Sequence, residues 1–475
     1  MTPTFIGRAE EKEILRDALA SQEAEMIAVI GRRRVGKTFL IKTVYHKDIV
    51  FDITGIQNGE LNDQLEMFRD RLVECSQNAL VIPRPKNWFE AFKLLKQYLQ
   101  ALSNTKKQVV FFDELPWLAT HKSKFIQAFG YFWNSWGWQQ NLVVVICGSA
   151  ASWMIQKVVN NTGGLYNRIT RRIYLLPFTL SETEAYLKAK RLTFTRYQIA
   201  QLYMALGGIP HYLKEVKKGK SAVQNINDIC FSRNGLLRDE FLRLYPSLFL
   251  HADKHIKVIR ALAKKREGLT RQEIIKYTKL TDGGGITAVL EELVHSGFIT
   301  PYRTFNKKKG KVYRLTDEYS LFYLKFIEGK ELEGADIWQH LSQTQLYKTW
   351  SGYAFENMCL KHIPQIKRAL GIAGIYSLSS SFYQKGTVSE KGIQIDLLID
   401  RNDHVINLFE IKFYNKECTI TKAGAAMLRQ KRARFEVLSK TRKQISWVFI
   451  STYGLKENEY SMDIIDKSLT LTDLF

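Results

Sequence analysis

The stretch EMIAVIGRRRVGKTFLIKTVY, residues 25–45, constrains this chain more than any other. A short apolar run, Met26–Ile30, ends at Gly31, and the pattern G-x-x-x-x-G-K-T follows (Gly31, Gly36, Lys37, Thr38) before a helical periodicity sets in. Glycines let backbone amides curl around phosphates, the lysine reaches the terminal phosphates, and the threonine hydroxyl is placed to bind Mg²⁺. A strand that feeds such a loop and then a helix implies a parallel α/β sheet that binds a nucleotide. The candidate nucleotide contacts along the loop and first turn are Gly31, Arg34, Val35, Gly36, Lys37, Thr38 and Phe39.

A phosphate loop needs an acid at the end of a neighbouring buried strand, and QVVFFDELPWL supplies one. Val109–Phe112 is apolar, and Asp113 and Glu114 follow at once. Asp113 is the expected Mg²⁺ partner of Thr38, and Glu114 the group that orients and activates the attacking water. At this distance behind the loop the pair implies ATP hydrolysis, not binding alone. A further apolar strand, NLVVVICGS, ends at Ser149, which serves either as a γ-phosphate sensor or as a helix N-cap.

The chain has 475 residues, enough for two to four domains. No run of eighteen apolar residues occurs, so no membrane partner is expected. MTPTFIGRAEEKEIL has no basic region followed by an apolar one, and the five cysteines are scattered without metal-ligand spacing. A reducing, cytoplasmic location is the expectation. The net charge of +23 favours a polyanionic partner, DNA first.

Residues 181–245 read as mixed helices. After them, Ile256, Ile259, Leu262 and Ala263 have helical spacing, and Thr270 with Glu273 makes a capping box for a helix over Arg271–Tyr277. TDGGG reads as a turn, and ITAVLEELVHSGFI as a third amphipathic helix closed by Gly297. Two short strands flank the basic turn Asn306–Lys311, so the segment predicts a winged helix with a lysine-rich wing. The third helix carries Glu291 and Glu292, which favours wing-to-phosphate contact over base reading.

Near the C-terminus, a helix with Tyr353, Phe355, Met358 and Leu360 surrounds Glu356, and two apolar strands, GIQIDLLID and HVINLFEIKFY, are joined by the turn Asp400–His404. With that turn centred on Asn402, Gln394 faces Glu410 and Asp396 faces Leu408. Asp396 and Glu410 then become diagonal neighbours about 7–8 Å apart, with Lys412 on the same face. Two carboxylates at that range suit one Mg²⁺, and the ammonium suits a water or a developing phosphorane charge. The bland alternative is an ordinary charge pair on an edge strand. Downstream, LRQKRARFEVLSKTRKQ has Glu436 as its single acid and reads as a helix that tracks a phosphate backbone.

Taken together, FIGRAEEKEIL, GRRRVGKT, VVFFDELPWL and GGIPHYL resemble the archaeal-type ATPases on the AAA+/STAND branch of P-loop NTPases. The resemblance implies that Phe5, Ile6 and Gly7 lie against the adenine. It also implies that Gly207–Pro210 is the lid motif near the nucleotide, with Pro210 as a contact. LYNRITRRIYLLPFTLSETEAYL resembles the stretch before the last core strand, which makes Arg168 the candidate arginine finger and Arg171 the second, acting across a homo-oligomer contact. His211 follows Pro210 directly where a second sensor arginine is often found, which suits a slow switch. D-x13-E-x-K preceded by a helical Glu resembles the PD-(D/E)xK restriction-endonuclease-like fold, with Ile395–Asp396 at the PD position. By that resemblance Asp396 and Glu410 are metal ligands, Lys412 the catalytic lysine and Glu356 the auxiliary acid.

The expected architecture is therefore α/β: a P-loop NTPase parallel-sheet core over 1–180 with a helical lid over 181–245. A winged helix over 246–330 follows, then a C-terminal α/β restriction-endonuclease-like domain over 331–475. The expected function is an ATP-binding and hydrolysing, DNA-binding protein that uses Mg²⁺ and carries a metal-dependent nuclease-like domain. The alternative is a STAND-like switch or scaffold that holds DNA or a protein partner without cutting.

Overall fold

The structure is a computed structural model that describes residues 5–77, 82–102, 106–249, 251–305, 311–330, 334, 336–384, 386 and 392–475. The chain divides into two compact units, Met1–Leu176 and Pro177–Phe475.

The first unit is built on five parallel strands: β1 (Glu25–Ile30), β2 (Ile49–Thr54), β3 (Gln108–Asp113), β4 (Leu142–Gly148) and β5 (Arg171–Tyr174). Their order across the sheet is β2-β3-β4-β1-β5. β1, β3 and β4 are buried along their whole length, as unbroken apolar runs with helices on both faces must be. Met26, Ala28 and Ile30 of β1 pack with Phe51, Phe112, Val144 and Ile146. An aromatic layer from the helices Trp88–Ala101 and Phe125–Ser135 joins the same cluster. The order matters for function. β4 lies between β1 and β3, so Ser149 at its end falls between the loop that leaves β1 and the acids that leave β3. The ends of parallel strands at such a crevice are where α/β sheets bind ligands.

Three capped helices open the second unit: Leu180–Ala189 (Thr179/Glu182 capping box), Arg196–Leu206 (Thr195 cap) and Ala222–Cys230 (Ser221/Gln224 capping box). The GGIP corner between them is set by packing. Gly208 has φ +61°, and a Cβ there would stand 2.4 Å from the Phe178 carbonyl oxygen, so only glycine fits. The next segment has helices Ala252–Ala263, Arg271–Thr278 and Gly284–His295 with strands β6 (Leu269–Thr270), β7 (Ile299–Arg303) and β8 (Lys311–Leu315), ordered β6-β8-β7. The Thr270–Glu273 capping box forms, and the third helix starts inside the TDGGG stretch, at Gly284. Glu292 of that helix meets the buried His255 at 2.6 Å, so it ties two helices together. Residues 306–310 of the expected wing tip lie outside the described residues.

The remaining sheet is mixed: β9 (Ser377–Gln384), β10 (Ile393–Arg401), β11 (Val405–Lys412), β12 (Gln444–Ser451) and β13 (Lys467–Thr470), ordered β13-β12-β11-β10-β9. β11 is thus the central strand, hydrogen-bonded on both sides, and the edge-strand alternative is overturned. Helix Lys422–Ser439 covers one face through Ala425, Leu428 and Phe435, which pack on Ile395, Leu398, Ile406 and Leu408. Phe355, from helix Gln345–Lys361, meets Phe413 at 5.3 Å.

The register of β10 and β11 differs from the expected one. Leu398 pairs with Leu408, Ile399 with Asn407 and Asp400 with Ile406. The turn is therefore centred on Asp403, because the loop is three residues long and closes with His404 in the left-handed region at φ +63°. The two-residue shift preserves parity. The β9–β10 pairing slips between Ile395 and Leu398, an irregularity in the stretch that carries Asp396.

Candidate functional site

The loop after β1 has the backbone its glycines require. Arg34 (φ +71°) and Gly36 (φ +95°) are left-handed, and Gly31 lies so close to Leu175 that a Cβ would be 2.4 Å from its carbonyl oxygen. Lys37 is 5% exposed, and its ammonium donates to the carbonyls of Gly31 (2.7 Å) and Arg32 (3.0 Å) across the loop. Helix Lys37–Val44 starts with Gly36 at its cap position and no side-chain cap, which leaves its first amides for an anion. Val35 is buried beneath the loop, and Phe39 is 46% exposed on the helix.

Thr38 donates its hydroxyl to Asp113 Oδ2 at 2.6 Å, and Asp113 Oδ1 accepts the Glu114 backbone N–H at 3.0 Å. Glu114 takes the left-handed conformation (φ 47°), which turns its carboxylate toward β4. There Oε2 accepts from both the backbone N–H (2.9 Å) and the hydroxyl (2.8 Å) of Ser149. Ser149 is not a helix cap: the next helix, Ala151–Met154, has Ala150 at its cap position. Beneath the acids sits Cys147, fully buried, with its thiol pushed well up by burial. Sequence reasoning missed this residue, because its place beside Asp113 follows only from the adjacency of β3 and β4. A threonine hydroxyl and a carboxylate are hard oxygen donors and suit Mg²⁺, which typically takes one or two carboxylates and completes its shell with phosphates and water. No cluster of three His, Cys, Asp or Glu side chains is present among the described residues.

Phe5 stacks on Phe39 with ring centroids 5.4 Å apart, which sets the FIGR segment beside the loop helix. Ile6 and Gly7 are half-buried, and Gly7 is left-handed at φ +69°. Arg171 pairs with the buried Glu25 at 3.1 Å, a structural role within its own unit that leaves Arg168 as the finger candidate. Arg168 is exposed and makes no side-chain hydrogen bond or ion pair among the described residues. Pro210 opens the short helix Pro210–Leu213 in the second unit.

Residues 5–216 match the model of an ATPase domain found predominantly in Archaea. This part of the chain is similar to archaeal-type P-loop ATPase domains. Over 419 residues the chain is 23% identical to an uncharacterized protein of Methanocaldococcus jannaschii, covering 86% of this chain and 87% of the relative. Among solved structures, the Walker-type ATPase of Pyrococcus abyssi aligns with 67% of this chain and 96% of its own at 18% identity and a TM-score of 0.48. The ORC2 protein of Aeropyrum pernix, in ADPNP–ADP complexes, aligns with 72% and 97% at 14% identity and a TM-score of 0.41. No helix among the described residues is long and apolar enough to cross a membrane.

Beyond residues 5–216, Glu410 and Lys412 of the central C-terminal strand meet as an ion pair. Glu410 is 8% exposed, and its two oxygens are both taken: Oε1 by Lys412 at 2.7 Å and Oε2 by Lys431 at 2.9 Å. Burial alone would raise this carboxyl, but the two ammonium groups outweigh it and hold it below its ordinary value. Glu356 is raised to about 8, first by burial and then by the negative charge of Asp396, with a smaller contribution from Glu410. Asp396 Oδ1 accepts from Gln394 Nε2 at 2.6 Å. A cation at Glu410 would first have to displace an ammonium, so these residues as placed form an ion-paired cluster, not a cation cage.

Lys431, one of the basic residues of the helix expected to track a phosphate backbone, is a partner of Glu410. A helical signal existed for this: Leu428, Lys431 and Phe435 share one stripe, and Leu428 and Phe435 are core residues. Three of the six other basic residues of the segment are ion-paired to described residues as well. Arg429 pairs with Asp463, Arg432 with Glu436 and Lys443 with Asp400. The compensating acids come from other elements and from the next helical turn, and Glu436 alone was visible locally.

Proposed function

We propose that the chain binds ATP with Mg²⁺ and hydrolyses it, and that nucleotide state sets the conformation of a DNA-handling second unit. The observation that supports hydrolysis best is the aimed Glu114. Its carboxylate is held by two Ser149 donors, one residue beyond the Asp113 that accepts from Thr38. In this reading Lys37 and the uncapped helix amides hold the phosphates, and Thr38 and Asp113 hold Mg²⁺. Glu114 takes the proton of the attacking water. Bound Mg²⁺ neutralises phosphate charge. Phe5, Ile6, Gly7 and Phe39 face the base, Pro210 belongs to the lid, and Arg168 reaches a neighbouring copy. ATP turnover measured with Mg²⁺ tests this: Lys37→Ala is expected to lose about a hundredfold or more, and turnover retained in that variant would overturn the assignment.

For the second unit we infer DNA binding through the winged-helix-like segment, consistent with the +23 charge. The lid helix Arg196–Leu206 packs through Tyr197 on Phe413 at 5.1 Å, next to Lys412. A lid movement would therefore be felt at the C-terminal cluster. A nuclease-like role for Glu356, Asp396, Glu410 and Lys412 is a second reading, favoured by their mutual electrostatic influence around Glu356. Its test is DNA cleavage with Mg²⁺ or Mn²⁺, expected to vanish in Lys412→Ala and Asp396→Ala. No cleavage of single-stranded, duplex or branched DNA with either metal would leave the switch-and-scaffold reading.

A further inference from the structure

A cavity of about 430 Å³ opens within the second unit between the helix Ala252–Ala263 end, β8 and the helix Gln345–Lys361. Lys264, Lys265, Arg266, Arg314 and Lys325 line it. Arg314 is the informative one. It is 7% exposed, its Nε donates to the Glu267 carbonyl at 3.3 Å, and its guanidinium lies over the Tyr302 ring at 5.2 Å but makes no ion pair among the described residues. A buried guanidinium without a carboxylate carries a desolvation penalty that a bound anion relieves. Lys264, Lys265 and Lys325 likewise make no side-chain hydrogen bond or ion pair among the described residues. The acids on the wall are Glu267 and Glu356. Aromatic rings complete the lining: Trp350, and Tyr353, which is 40% exposed and stacked under Arg266 at 4.5 Å. Cations with an accessible aromatic face are the chemistry of a single nucleic-acid strand, in which phosphates meet the charges and a base meets the ring.

The cavity also leads to the C-terminal cluster. Glu356 is on its wall, and Arg266 donates to Gln394 at 3.2 Å, which in turn donates to Asp396 at 2.6 Å. We propose that this cavity seats a phosphate-bearing nucleotide of a single nucleic-acid strand and directs the adjoining phosphodiester toward Asp396, Glu410 and Lys412. The proposal rests on the reading that this end of the second unit handles nucleic acid, and it names the strand form and the residues that hold it.

The test uses the full chain and a fluorescein-labelled oligo-dT, with its duplex as comparison. The triple variant Lys264→Gln/Lys265→Gln/Lys325→Gln removes exposed or half-buried lysines that no described side chain needs, and an unchanged melting curve confirms that it folds. Expected is a loss of about tenfold or more in single-strand affinity, with the salt slope reduced by about 2, and a smaller loss for the duplex. Equal affinity of variant and wild type would overturn the cavity as the strand site while leaving nucleic-acid handling intact. Wild-type protein that binds neither oligonucleotide would overturn both. Competition by deoxycytidine monophosphate at the same concentration as the oligonucleotide, in a Lys37→Ala background, would assign the cavity to a free nucleotide and overturn the strand.

Discussion

Replacing Glu114 by Gln is expected to lower ATP turnover by about a hundredfold to ten-thousandfold, the range of a lost general base, while ATP binding stays near wild type. The substitution is isosteric, and the amide oxygen still accepts the two Ser149 donors, now at 2.9 and 2.8 Å. The strained backbone at φ 47° is therefore kept. What disappears is the capacity to take a proton from water. Lys37 and the amides of its helix are untouched, so binding of a fluorescent ATP analogue measures the ground state separately from turnover. Turnover within a few-fold of wild type would remove Glu114 from the chemistry. Equal loss of binding and turnover would give it a purely structural role. Ser149→Ala is the informative companion: it frees the carboxylate from its orienting hydroxyl but leaves the backbone donor in place.

The second large effect is on stability. Glu356 is expected to make the chain less stable as pH rises. Its carboxyl is raised from an ordinary 4.5 to about 8 because burial and Asp396 disfavour the charged form. Below pH 4.5 the group is neutral in both folded and unfolded states, and its contribution is fully present. As pH rises toward 8, the unfolded chain ionises while the folded one resists, so stability is lost through that window. Glu356→Gln stays neutral throughout. It is expected to match wild type near pH 4.5 and to exceed it by a few kcal/mol at alkaline pH, about 5 at most. Arg266 and Lys412 lower the cost of ionisation and trim the difference. Denaturant midpoints of the two proteins across pH check it, and parallel curves would show that Glu356 ionises freely.

Much of the nucleotide site was legible because its parts are local. Gly31, Gly36, Lys37 and Thr38 lie within eight residues, and their pattern encodes a strand, a loop and a helix at once. Asp113 and Glu114 are equally local, at the end of an apolar run. Ser149 could be flagged but not decided. Whether it caps a helix or holds Glu114 depends on β4 lying beside β3, which is strand order, not sequence. The same holds for Arg171, whose partner Glu25 is 146 residues away.

At the C-terminal strand, parity put Glu410 and Lys412 on one face, and that much follows from a period of two. Three further facts came only from the tertiary structure. Strand order made β11 central, so Glu410 is buried. A three-residue loop closed by His404 moved the register by two. Helix Lys422–Ser439 brought Lys431 onto the second oxygen of Glu410. Sequence alone thus determined the loop that can hold phosphates and the residue types at the second cluster, because backbone conformation and strand alternation are local properties. Which charges neutralise one another, and where a buried Arg314 is left facing an open cavity, was decided by the packing of elements far apart in the chain.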